Sequence, residues 1–361
     1  MREKLTDRKG EDKMQIKIGT KINSVLSEDI GIDIGSYKTA IYIKEKGIVL
    51  NEPSYIAVDE KTNEVVAFGK EAYEMIGKNP PSIRIERPIE NGIISDMELA
   101  VKLLKIFISK VYNKTLLKPR VIANIPTGST EIERHAMSEV LKSAGARAVY
   151  LLESPIPAAL GAGCDISIAR GLFVADIGAG KSDVSTISLG RNVVSDSINI
   201  AGDAFTNDII KHIKSAHNLN IGFLTAEAIK KTVGCAYPME KLTSMSISGC
   251  DVTSGLPRFM SISSEEIRDC LMPSLTKIAN VIKNTLKNTP TELQTDILED
   301  GILLTGGGAK LSGLDKYLRQ ELEMKVFVLE DIENYTINGI GKQLMALDSN
   351  VAEEKFYYAA E

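Results

Sequence analysis

The sequence predicts a duplicated α/β protein of two lobes, each built on a mixed sheet. Two stretches far apart in the chain carry most of that prediction. Asp33-Ile34-Gly35-Ser36-Tyr37-Lys38-Thr39 closes at Gly47, and Asp176-Ile177-Gly178-Ala179-Gly180-Lys181-Ser182 closes at Gly190. Asp, Ile, Gly, Lys, a hydroxyl residue and the final Gly recur in register. Each copy reads as strand, tight Gly turn and strand, which is a β-hairpin. Strands, helices and hairpins interleave in both halves, the pattern of a mixed sheet flanked by helices. At 361 residues the chain is also long enough for two domains with real cores.

The elements follow in order. The first hairpin occupies about 31–50, and 54–76 reads as a short strand pair and a helix. Arg87-Pro88-Ile89-Glu90-Asn91-Gly92 is a loop and turn signal. Leu99, Leu103, Leu104 and Phe107 share one face of a helix over about 95–112. RVIANIP (120–126) is a buried strand. A helix starts near Thr130, because Ser129 or Thr130 can cap it and Glu131 and Glu133 sit in its positive first turn. AVYLLE (148–153) is a strand, and Pro155 opens an Ala-rich helix to Gly161. The second half repeats the theme: a hairpin at 172–195, helices around 204–217 and 225–235, strands near 241–262, and a long helix over about 265–287. The strand GILLT (301–305) meets Gly306-Gly307-Gly308, read as strand–turn–helix.

Bulk properties exclude several classes. Hydrophobic content of 43% and charged content of 25% are those of a soluble globular protein. A net charge of −5 argues against a general nucleic-acid binder. Cys164, Cys235, Cys250 and Cys270 form no CxxC pair, which fits a reducing cytoplasm. His135, His212 and His217 are scattered and expected to be structural or solvent-facing. No apolar run approaches the ~20 residues that span a bilayer. Residues 1–20 are dense in charge and are not a signal peptide.

The repeated turns carry the chemistry. A protein holds a phosphate with converging backbone N–H groups, and glycine lets the backbone come close. Gly35-Ser36-Tyr37-Lys38 and Gly178-Ala179-Gly180-Lys181 each supply such a nest, and the pairing in register points to phosphate binding. Asp33 and Asp176 end buried strands and aim at the shared cleft. Their expected use is to hold Mg²⁺ through water, since nucleotide-bound magnesium keeps several waters and takes one or two carboxylates. Gly306, Gly307 and Gly308 can lay backbone against a purine or phosphate. The chain has no GxxxxGK[ST] and no GxGxxG followed by an acid, so it is neither a P-loop nor a dinucleotide protein.

With these motifs in order, the chain resembles the actin, Hsp70 and sugar-kinase superfamily, and within it the MreB family of bacterial actins. The strings that carry the resemblance cover about 30–345. They are KGIVLNEPS (46–54), RPIENGIISD (87–96), KPRVIANIP (118–126), AGARAVYLLESP (144–155), VADIGAGKSDVSTISLG (174–190), AGDAF (201–205), SGLPR (254–258) and GILLTGGGAKLSGL (301–314). The resemblance implies an actin-like fold of four subdomains, with duplicated RNase H-like cores around a cleft for ATP and Mg²⁺. It implies a tail at 1–29, a first lobe at 30–170 with a small subdomain at about 50–95, a second lobe at 171–347 with one at about 205–265, and a tail at 348–361. It also implies cytoplasmic filaments that assemble head to tail, attach to the inner face of the membrane, and associate with other MreB paralogues.

Carried over residue by residue, the first phosphate loop is Ser36, Tyr37 and Lys38 and the second is Ala179, Gly180 and Lys181. Gly202 and Asp203 belong to the nucleotide set, and the adenosine side is Glu227, Ala228, Ile229, Lys230, Gly307, Gly308, Ala309 and Lys310. Leu116 and Leu117, flanked by lysines, occupy the place of the family's membrane-inserting loop.

The chain also departs from the family. Family members read Glu-Glu-Pro where this chain has Glu153-Ser154-Pro155, and the second glutamate is expected to position the water that attacks the γ-phosphate. Their second hairpin carries two threonines and a glutamate, against Lys181, Ser182 and Asp183 here. Their first has Thr-Ala-Asn, against Ser36, Tyr37 and Lys38. Similar departures mark divergent paralogues of wall-less, helical bacteria. Lys38 and Lys181 add cations beside the phosphates, yet phosphoryl transfer depends on positioning the attacking water. The expectation is a filament subunit that binds ATP and hydrolyses it slowly. The alternatives are a small-molecule kinase or an Hsp70-like ATPase on the same fold. The first lacks a motif for a sugar-facing carboxylate, and the second lacks room after the final helix near Leu344–Leu347 for a peptide-binding domain.

Overall fold

The computed structural model describes residues 28–112, 117–239, 241–347 and 358–360. Two sheets organise the chain. The first has six strands, in spatial order Tyr358–Ala360, Ala148–Glu153, Arg120–Ile125, Ile30–Ile34, Lys38–Ile43 and Gly47–Pro53. The second has five, in the order Arg191–Ile198, Ser182–Ser188, Leu172–Ile177, Ile302–Thr305 and Val326–Phe327. Each contains an antiparallel three-strand meander whose first strand has a parallel neighbour on its far side. The repeat read in the sequence is therefore a repeat of topology. Register places Asp33 opposite Ala40 in the first meander and Asp176 opposite Asp183 in the second.

Burial explains why these segments are strands. Ile30, Ile32, Ile34 and Ile41 are buried under Leu99, Leu103, Leu104 and Phe107 of the helix Met97–Val111, the face that the periodicity predicts. The helix Glu131–Ala144 starts where expected, with Thr130 and Glu133 in a reciprocal capping box. In the second lobe Phe173, Ala175 and Ile177 pack under the helices Gly202–His217 and Ser264–Asn288. Two small sheets extend the lobes. One is Ile56–Asp59, Val65–Phe68 and Ile83–Glu86, and the other is Leu219–Asn220, Ser244–Asp251 and Pro257–Ser263.

Three sequence expectations change. The glycine triplet does not open a regular helix: Gly307–Lys310 is a 3-10 turn, and the helix Leu314–Leu322 starts after Gly313. The backbone has no slack there, because Gly306 (φ +87°) lies so close that a Cβ would meet the Ile177 carbonyl oxygen at 2.4 Å. The helix Tyr335–Ala346, expected within the second lobe, packs on the first sheet through Ile340, Leu344, Ile122 and Leu152. It crosses the helix Pro155–Gly161 at glycines, where a Cβ on Gly339 or Gly161 would sit 1.8 Å from the other helix's carbonyl oxygen. The chain therefore passes between the lobes twice. Finally, part of the expected tail at 348–361 forms the strand Tyr358–Ala360, antiparallel to Ala148–Glu153.

Candidate functional site

The two hairpin turns close with the same bond. The Gly35 N–H donates to the Lys38 carbonyl at 3.0 Å, and the Gly178 N–H donates to the Lys181 carbonyl at 2.9 Å. They face each other across a cavity of about 180 Å³ lined by Asp33, Gly35, Ser36, Tyr37, Lys38, Asp176, Gly178, Ala179, Lys181, Asp183, Ser154, Gly306 and Gly307. A larger cavity of about 610 Å³ adjoins it and shares Tyr37, Gly178, Ala179 and Gly307. Gly202, Asp203, Glu227, Lys230, Gly308 and Lys310 line this second space. A small polar compartment opening into a larger one suits a polyphosphate with a nucleoside attached.

The lobes meet tightly at the turns. A Cβ on Gly180 would lie 2.9 Å from both Ser36 Oγ and Asn91 Oδ1 of the first lobe. Gly180 is thus a contact between lobes and does not line either cavity. Ser36 Oγ accepts the Gly92 N–H at 2.9 Å. Arg87 donates to Asp203 at 2.5 Å and bridges the lobes with both groups mostly buried.

Three carboxyl groups converge on the smaller cavity. Burial, then the Asp176 carboxylate, pushes Asp33 up to about 7, against Lys38 and Asn124. Burial pushes Asp176 up to about 6 although Thr305 donates to it at 3.0 Å. Burial pushes Asp183 up to about 8 although Lys181 pulls it down, and Asp176 opposite adds to the rise. One oxygen of Asp183 is buried with no hydrogen-bond partner. An orphaned carboxylate oxygen beside the Asp176 carboxyl fits a hard cation such as Mg²⁺, which takes oxygen ligands.

Ser154 lines the smaller cavity, and Glu153 does not. Ser154 Oγ donates to the Ile125 carbonyl at 3.2 Å. Glu153 is buried in a network, receiving Arg134 at 2.9 Å and Asn192 at 2.5 Å. On the other wall Glu227 binds Lys230 and Thr206, and Lys230 also reaches the Gly202 carbonyl at 2.8 Å. Burial works to raise Glu227, but Lys230 and Thr206 hold it below the usual range. Lys310 pairs with Glu333 at 2.9 Å.

Some expected residues fall elsewhere. Ile229 and Ala309 are buried in the second core, and neither they nor Ala228 line the two cavities. A helix turns about 100° per residue, so Glu227 and Lys230 face the cleft while Ala226 and Ile229 turn inward. Leu117 is half exposed, and Leu116 lies outside the described residues. Sequence reasoning passed over Asn124, whose Oδ1 accepts the Ile34 N–H at 2.7 Å and orders the first turn. Its signal was a polar residue inside the apolar strand RVIANIP. Glu333 and Thr336, also lining, carry no comparable signal.

A family model for the MreB/Mbl protein matches residues 27–352. This chain belongs to the MreB/Mbl family. The cell shape-determining protein Mbl of Bacillus subtilis is 42% identical over 325 residues, covering 90% of this chain and 98% of that one. The cell shape-determining protein MreB of Escherichia coli is 39% identical over 334 residues, covering 91% and 96%. The crystal structure of MreB 5 of Spiroplasma citri bound to AMPPNP matches at TM-score 0.87 and 39% identity, covering 91% and 99%. A MamK double helical filament matches at TM-score 0.76 and 17% identity, covering 88% and 99%, a likeness of fold alone. The expected actin-like α/β fold is thus the fold of MreB/Mbl proteins.

Proposed function

We propose that this chain binds ATP and Mg²⁺ between its lobes, polymerises into filaments in that state, and contributes to cell shape or motility while hydrolysing ATP slowly. The observation that carries the reading is the pair of equivalent Gly turns facing each other across one cavity, with three carboxyl groups beneath them. Relatives of the same family solved with AMPPNP and with ADP support the nucleotide. The filament-forming neighbour of like fold supports self-association.

Residues of this chain would divide the work. The backbone around Gly35 and Gly178 cradles phosphate oxygens, and Lys38 and Lys181 neutralise charge from either side. Asp33, Asp176 and Asp183 would hold Mg²⁺ through water, and the ion would shield the phosphates' charge. Glu227, Lys230 and Gly307 wall the nucleoside side. Ser154 stands where water would be positioned, and its hydroxyl cannot take a proton as a carboxylate does. Glu153 cannot substitute while it is held by Arg134 and Asn192.

A peripheral place on the inner membrane surface rests on Leu117, half exposed beside Lys118, with Leu116 preceding it in sequence. Association with other paralogues of the family is part of the same reading. The test is sedimentation of the purified protein with and without ATP and Mg²⁺, with the pellet imaged. ATP-dependent filaments are expected. A protein that stays in the supernatant but releases phosphate briskly when sugars are added would move it to the kinases.

A further inference from the structure

We propose that His212, His217 and Glu266 form a binding site for one divalent transition-metal ion, with Zn²⁺ as the typical occupant. The site stands apart from the nucleotide cleft. Gly202, at the start of the helix Gly202–His217, lines the larger cavity, and His217 ends the same helix. At 1.5 Å per residue that separation is about 22 Å.

Two helices bring the residues together. His212 and His217 occupy the last turns of Gly202–His217, which stops at Asn218 in the left-handed conformation (φ 54°). Glu266 lies in the first turn of Ser264–Asn288, where its N–H is capped by Ser263. Ile209, Ile213, Ile267 and Leu271 are buried in one core beneath them, so both backbones are fixed. Ser274 donating to Asp208 at 2.5 Å holds the same helix pair together. Among the described residues this is the one group of three His, Cys, Asp or Glu side chains whose ligand atoms lie within 4.8 Å of one another.

The atoms face one point. His212 Nε2 is 2.8 Å from Glu266 Oε1, and His217 Nε2 also contacts that oxygen. The rings are 6.1 Å apart and nearly perpendicular, at 79°, so neither blocks the other's nitrogen. Each side chain is about 30% exposed, which leaves a path for an ion. Arg258, which donates to the His217 carbonyl, is also paired with Asp251.

The donor set selects the ion. Two imidazoles and one carboxylate suit zinc, with a fourth position left for water. Zinc holds such donors at ~2.0–2.1 Å, which puts them ~3.3 Å apart in a tetrahedron. His212 and Glu266 therefore need to open by roughly half an ångström, and His217 by nearly twice that, within the reach of side-chain torsions. Each Nε2 proton moves to Nδ1 or to water as the lone pair turns to the metal. Mg²⁺ prefers oxygen donors and stays with the nucleotide.

The test uses the full chain, stripped with chelator, held in excess Mg²⁺ and titrated with Co²⁺, then with Zn²⁺ against a chromophoric chelator. One ion per chain is expected, with a Co²⁺ spectrum of nitrogen and oxygen ligation and no thiolate charge-transfer band. His212→Gln and His217→Gln should each weaken Zn²⁺ binding by at least about tenfold, and Cys250→Ser should leave it unchanged. X-ray absorption of the Zn²⁺-loaded unaltered protein gives the same reading without any variant, so a misfolded variant does not shelter the proposal. Absence of saturable binding, sulfur ligation, or affinity unchanged in the double His→Gln variant would overturn it.

Discussion

The turn at Gly35 and the turn at Gly178 share a backbone and differ in their acids. Both close through a glycine N–H on a lysine carbonyl, and both follow an aspartate one residue from a strand's end. In the first lobe the residue opposite that aspartate is Ala40, and in the second it is Asp183. Asp33 is steadied by Asn124, whereas Asp183 keeps an unpaired buried oxygen. The two turns keep the same backbone closure, and the second lobe carries an extra buried acid whose charge a cation or a proton would relieve. On the proposed reading, both turns hold phosphate, and the second lobe adds Asp183 to the acids that would hold the metal.

The comparison can be broken most severely at the glycines. Gly306→Val would drive a side chain into the Ile177 carbonyl and the Asp176 carboxylate at a positive φ. A loss of more than about 4 kcal/mol is expected, read by denaturant unfolding. A milder pair ranks the two turns directly. A Cβ on Gly35 would meet the Lys38 carbonyl oxygen at 2.8 Å, but on Gly178 the Lys181 carbonyl oxygen at 3.1 Å. Gly35→Ala should therefore weaken binding of a fluorescent ATP analogue more than Gly178→Ala. The reverse order would contradict the view that the first turn is the more constrained.

Asp183→Asn tests the second lobe's surplus charge. Without nucleotide the variant should be more stable by about 1 kcal/mol, because a buried acid in a like-charged cluster is removed. With ATP present it should need roughly tenfold more Mg²⁺ to reach half-saturation, about 1.4 kcal/mol of lost attraction. Equal Mg²⁺ dependence in variant and parent would remove Asp183 from the metal set.

The same acids set a pH dependence. Their folded-state values lie above the ordinary carboxylate value, at about 6, 7 and 8 for Asp176, Asp33 and Asp183. The folded protein thus binds more protons than the unfolded chain above about pH 4. The stability this contributes is full below about pH 4 and is lost progressively as pH rises from there through the folded-state values, levelling off above about pH 8. The nucleotide-free melting temperature should fall over that window, and Mg²⁺ with ATP should flatten the slope. The smallest expected effect is at the bridge between lobes. Arg87→Ala leaves Asp203 unpaired and should weaken nucleotide binding by about 1 kcal/mol, seen as a faster release rate.

Much of this was legible in the sequence, for physical reasons. Periodicity announced the apolar face of Met97–Val111, and the capping chemistry at Thr130 and Glu133 announced the next helix. The repeated Asp, Gly and Lys announced both turns. The helix Thr291–Asp300 went unseen because it buries only Ile297, and Leu314–Leu322, whose Leu314, Tyr317 and Leu318 share one buried face, was expected to start at the glycine triplet instead of after Gly313. The return of Tyr335–Ala346 to the first lobe is set by glycine contacts with Pro155–Gly161, far away in sequence. Ile229 was misplaced because a run of residues was carried over whole, when a helix presents only some of them to the cleft. The histidines looked scattered because their partner, Glu266, lies 54 and 49 residues away.

The central claim is that the cradle is intact and the hydrolytic position is lost at Ser154. It is tested most directly by phosphate release at saturating ATP and Mg²⁺ from the parent protein and from Ser154→Glu, with filaments pelleted from the same tubes. Both proteins are expected to form ATP-dependent filaments, and the glutamate should raise phosphate release by roughly tenfold or more, as a restored water-positioning carboxylate would. Brisk release from the parent, or no increase in Ser154→Glu while filaments still form, would contradict the account.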